Sequence, residues 1–178
     1  MSVPRMQPSL LRGAPHGLRY SASYRDRLRQ MKLPYEESSV FAMPLRLGGF
    51  ARGVVARTPR RGRVVLGYFF GPRLQTPAAA TLDDLHPNLA VARIRFGDLG
   101  LIEGRWLVIG KVPNWNRADW PIPDFVRRDP LSRRAWLVRY LNDEPLHGVS
   151  EPLSNYDDLQ LLENDGLSGA GAAEAMIS

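Results

Sequence analysis

Histidine, cysteine and serine set the first bounds on the chemistry open to this chain. It carries three histidines, His16, His86 and His147, and no cysteine. Thiolate metal sites and cysteine nucleophiles are therefore excluded. A zinc or two-metal hydrolytic centre needs three or more ligands, drawn here from His86, His147 and scattered carboxylates. Asp83-Asp84 with His86 is the nearest approach to such a cluster, and its plainer reading is a helix end running into a loop. No Gly-x-Ser-x-Gly turn occurs, and Ser168 in Leu167-Ser168-Gly169-Ala170-Gly171 precedes no apolar strand or helix, so that segment reads as a linker. The same glycines lack the lysine and preceding strand of a phosphate loop. The residues point to no catalytic group, no metal ligand set and no cofactor.

Charge gives the sharper clue. Beyond Arg139 there is no Lys or Arg, while Asp143, Glu144, Glu151, Asp157, Asp158, Glu163, Asp165 and Glu174 carry −8. Residues 1–30 hold six Arg against one Asp, so the pI of about 10.2 describes no single surface. A segment this acidic is either a solvated tail or a surface that imitates the phosphate-rich ligand of a basic partner. Asp143, Glu144, Glu151, Asp157 and Asp158 are accordingly candidate partner-binding residues. Trp115 and Trp120, in a Pro-rich stretch, join them: they either pin the loop onto the sheet or serve as anchors for a bound protein. Arg57, Arg60, Arg61 and Arg63 could grip phosphates, and Tyr68-Phe69-Phe70 could stack on bases. In a run as apolar as Val64–Phe70 the aromatics suit a core better, and no direct nucleic-acid contact is expected. No apolar run approaches the roughly 18–20 residues of a membrane helix.

The elements that position these groups read mainly as strands. Phe41, Met43 and Leu45 alternate at strand period across 39–45, with Pro44 marking an edge strand or a bulge. Gly48-Gly49 turns the chain into a second strand at 50–57, and a third, at 64–70, ends at Gly71-Pro72. Thr76-Pro77 opens a short helix that cannot pass His86-Pro87. Further strands are expected at 90–96, 105–112 and 135–141, with Trp106 and Trp136 in the core. Residues 113–130 read as a long irregular loop, and 157–163 as an acidic helical turn or two. The expected class is mainly β (α+β): an antiparallel twisted sheet or partly open small barrel of about six strands, with one or two short helices. Residues 1–30 read as a disordered basic leader, with Met31 as an alternative start. Residues 31–172 form the single domain, and 173–178 a loose tail. Absence of cysteine and of a signal-peptide core suits the cytoplasm.

Met31-Lys32-Leu33-Pro34-Tyr35-Glu36-Glu37 followed by Val40–Leu45 resembles the opening of the immunity protein 26 family. Residues 49–57 and 66–72 are similar to its next two segments, and Phe96–Gly110 (FGDLGLIEGRWLVIG) carries the most specific likeness. The resemblance covers 31 to about 172. It implies a small protein of bacterial polymorphic toxin systems that binds a cognate toxin, often a nuclease, and neutralises it. The family label is shared with proteins described as phosphotriesterases, so a small phosphotriester hydrolase is the alternative, and a basic nucleic-acid-binding module comes third. No catalytic motif transfers residue by residue.

Overall fold

Apolar residues on both alternating sets of the first strands dictate a sheet covered on its two faces. The computed structural model describes residues 33–177. The expected leader at 1–30 lies outside the described residues. Strands β1 (Ser39–Pro44), β2 (Phe50–Arg57) and β3 (Val64–Leu74) form the antiparallel meander that the sequence predicts. Gly48 and Gly49 turn between β1 and β2 at φ +86° and +74°, values that favour glycine. β4 (Ala92–Gly97), the short helix α1 (Leu99–Ile102) and β5 (Leu107–Lys111) follow. The six-stranded sheet runs β5-β1-β2-β3-β4-β9, with β9 (Leu167–Ser168) parallel to β4. A second sheet, β6-β7-β8, comprises Phe125–Asp129, Arg134–Tyr140 and Gly148–Pro152. Helix α2 (Ala170–Ile177) closes the described chain. The domain is mainly β, with no closed barrel.

One face of the large sheet carries Phe41, Met43, Val55, Phe69, Ile94 and Phe96, packed with Trp106, Leu101 and Ala173. The other face carries Val40, Val54, Leu66, Tyr68 and Phe70, packed with Leu85, Trp120 and with Phe125 and Val138 of the small sheet. The adjacent aromatics 68–70 thus fill both cores in alternation.

Several elements differ from the sequence reading. β1 is internal, between β5 and β2. Its pairing with β5 covers only Ser39–Ala42, with an irregularity opposite Val40 and Phe41 rather than at Pro44, so Pro44 faces no ladder on that side. β3 continues past Pro72 because the extra residues Gly71–Arg73 bulge opposite Ala51 and pairing resumes at Phe50–Leu74. Residues 113–130 are not wholly irregular: β6 forms there beside β7, with Phe125 and Val126 buried. Trp136 is only half-buried. Residues 157–163 make turns rather than a helix. The stretch expected to be loose from 173 is helical through Ile177, because Ala173 is small enough to seat fully against the core. The opening after Thr76 is a three-residue 3-10 helix, Pro77–Ala79, whose Thr76 side chain makes no capping bond.

Candidate partner-binding surface

The acidic segment is stitched to arginines contributed from far earlier in the chain. Asp143 follows β7 and accepts from Arg57 Nε at 2.5 Å, while its other oxygen pairs with Arg117. Arg57 is buried in β2 and also donates to the carbonyls of Ala56 and Arg117. Arg117 reaches Glu37 as well, at 2.7 Å, and this bidentate bridging strengthens its hold on its proton. Four charges from β2, the 113–120 loop, the β7–β8 connection and the segment before β1 thus share one network. Glu144 accepts from the backbone N–H of Arg60. Of the arginines weighed for a phosphate grip, Arg57 is consumed by Asp143 and Arg63 pairs with Asp98 at 3.2 Å. Arg60 and Arg61 remain at the rim of a cleft with Asn142, Leu146 and His147.

Asp157 and Asp158 lie elsewhere. Asp157 pairs with Arg133 at 3.7 Å, and the Asp158 carbonyl accepts from Arg128, both at the hairpin joining β6 to β7. Glu151, on β8, pairs with Arg139 at 3.1 Å. Asp143 and Asp157 therefore stand at opposite ends of β7, about 20 Å apart at the usual rise per residue. The five candidate carboxylates line the small sheet from end to end instead of forming one patch.

Trp115 and Trp120 are brought together, stacked at 5.2 Å and 29°. Trp120 sits edge-on to Tyr68 at 5.2 Å and is buried, so it pins the loop to the large sheet. Tyr68 Oη completes the attachment by donating to the Pro121 carbonyl. Trp115 is half-buried.

Two carboxylates, one buried and one half-buried, were invisible as a pair in the sequence. Asp165, its side chain 4% exposed, accepts from Arg95 of β4, from Arg127 of β6 and from Tyr140 of β7. Burial pushes its carboxyl up, but the Tyr140 hydrogen bond and the two guanidiniums together hold it below the ordinary 3.8. Burial raises Glu163 above its ordinary range despite contacts from Arg93. The signal available in the sequence was the alternation of Arg93 and Arg95 on one strand face, which demands acidic partners if that face is covered.

Among the described residues no group of three or more His, Cys, Asp or Glu could hold a metal ion, and no helix is long and apolar enough to cross a membrane. Fold and surface together define a small two-sheet β domain with paired charges and a pinned aromatic loop. The family model of Immunity protein 26 matches residues 36–137, more than half of the chain, and the chain belongs to that family. The match spans β1 to most of β7. Neither a curated protein nor a solved structure matches the chain.

Proposed function

We propose that the protein is a cytoplasmic immunity protein that binds a cognate toxin of a bacterial polymorphic toxin system, a nuclease, and covers its active or substrate-binding surface. The observation that carries this reading is the family membership over residues 36–137. The exposed carboxylates Glu151, Asp157 and Asp158 along the small sheet suit a basic partner, since nucleases present cationic surfaces to phosphates. Inhibition needs only occupation of that surface, so no turnover, metal or cofactor enters the reading. Contact falls to Glu144, Glu151, Asp157 and Asp158, with Trp115 at the neighbouring loop. Asp143 contributes through its network.

The test is co-expression with the toxin-bearing reading frame next to the gene. The wild-type chain is expected to rescue growth and to bind the purified toxin. Replacing Glu144 and Glu151 with Gln and Asp157 and Asp158 with Asn should slow association about tenfold at low salt and remove most of the salt dependence. Unchanged association would move the contact away from the small sheet. Absence of any rescue would overturn the immunity reading itself.

A further inference from the structure

Most carboxylates of this domain are paired with a cation, and two of those that are not share one cavity. Residues 33–177 carry 17 Lys and Arg and 17 Asp and Glu. Among the described residues, Asp83, Asp119, Asp129, Glu144 and Asp158 are the carboxylates without a cationic side-chain partner. Three of these accept a main-chain N–H, from Leu131, Arg60 and Asn155. That leaves Asp119, which accepts only from the Asn116 side chain at 3.1 Å, and Asp83, whose side chain meets no partner. Both line the same cavity of about 540 Å³.

The cavity lies between two loops, 82–88 and 112–120. His86, Asn88 and Asn114 line it with side chains that make no hydrogen bond among the described residues. Trp120 forms part of its wall. That indole is 3% exposed, and its N–H donates to no group among the described residues. That N–H borders the recess and can donate to an acceptor that enters it. Both loops are held in place from beneath by arginines of β2. Arg52, its side chain 4% exposed, donates to Thr81 O and Oγ1, to Asp84 Oδ1 at 2.5 Å and to Gly71 O. Arg57 holds the Arg117 carbonyl in the second loop. Asp84 is thereby neutralised, while its neighbour Asp83 is left to the cavity.

We propose that this cavity receives a basic side chain of the protein partner, with a guanidinium or ammonium set between Asp83 and Asp119 and the carrying backbone accepting from Trp120 and the asparagine amides. Two uncompensated carboxylates in a recess with an aromatic wall favour a cation there more than at an open surface. The convergence of unpartnered donors and acceptors on an apolar floor of Leu82, Leu85 and Val112 is what a preformed ligand site provides. The inference rests on the immunity reading in one respect: it takes the toxin as the owner of the basic side chain.

The test titrates the full chain with N-acetyl-arginine methylamide and with the neutral isostere N-acetyl-citrulline methylamide, read by backbone amide chemical shifts. The arginine probe is expected to give saturable shifts at 82–88 and 114–120 with millimolar affinity. The citrulline probe should bind at least tenfold more weakly. The double variant Asp83→Asn, Asp119→Asn, unchanged elsewhere in its spectrum, should lose the response, and its affinity for the toxin should fall tenfold or more. No saturable shift, equal binding of citrulline, or an undiminished response in the double variant would overturn the proposal. So would a double variant that neutralises the toxin as well as wild type does. If wild type itself fails to neutralise the toxin, the immunity reading fails, while the arginine titration still decides whether the cavity takes a cation.

Discussion

Asp143 illustrates how a residue chosen for its charge acquires a structural duty. Arg57 is 2% exposed, and its Nε finds its carboxylate only at Asp143. Removing one member of a buried pair leaves the other uncompensated, a loss of about 3–5 kcal/mol when both are fully buried. The Asp143 side chain is 35% exposed and Arg57 keeps two carbonyl acceptors, so the loss should be smaller. Asp143→Asn is expected to lower stability by about 2 kcal/mol in urea unfolding, within the range for charged hydrogen bonds. Glu151→Gln breaks a pair whose halves are 47% and 65% exposed, and should change it by less than about 0.5 kcal/mol. Equal effects would show that the Arg57 network contributes nothing beyond an ordinary surface bridge. Neutralising carboxylates to test toxin binding is therefore informative only where Asp143 is left in place.

Within the elements, close approach between strands is the sharpest constraint. Gly53 on β2 lies opposite Phe41 on β1, and a Cβ there would fall 2.2 Å from the Phe41 ring. That ring is fully buried, stacked on Trp106 and edge-on to Phe69, so it has nowhere to retreat. Gly53→Ala is expected to cost about 3 kcal/mol through overpacking, measured as a lowered denaturation midpoint at unchanged m-value. A neutral result would mean that the aromatic cluster repacks freely. The same elements show what the sequence made legible. The β1–β3 meander could be read because Phe41, Met43 and Leu45 recur at strand period, apolar runs follow at 50–57 and 64–70, and Gly48-Gly49 marks the turn. β8 could not: all five of its residues are exposed, so no apolar alternation distinguishes it from a loop. β6 is short and framed by prolines, and α2, although rich in the helix-former Ala, is only eight residues long and follows the glycines at 166 and 169, so its packing is set by the core that accepts it. The sign of the acidic segment was legible, but its partners were not. Those partners lie as far back as Arg57, 86 residues before Asp143, and only the tertiary fold brings them within reach.

At the scale of the whole fold, Asp165 is a carboxylate that joins both sheets, through Arg95 on one side and Arg127 and Tyr140 on the other. Its depressed folded value means that its contribution is complete above the unfolded carboxylate pKa and fades as pH falls from about 3.9 through the lower folded value. Glu163 has the opposite sign: its raised value makes the ionised form a liability that grows as pH climbs above 4.5. The stability gap between wild type and Asp165→Asn should therefore be widest at pH 7 and close below pH 4. Glu163→Gln should match wild type in acid and gain on it toward neutrality. A gap at Asp165 that persists unchanged at pH 3 would remove the carboxylate from the account. Edge geometry has a consequence of another kind. Leu153 N–H donates inward to the Ala135 carbonyl of β7, so by strand alternation the backbone of Pro152 faces outward. Proline has no N–H to offer there, and Glu151 beside it holds a charge at the same margin. The open side of the small sheet thus presents a broken template to any passing strand, which guards a crowded solution of this protein against assembling edge to edge.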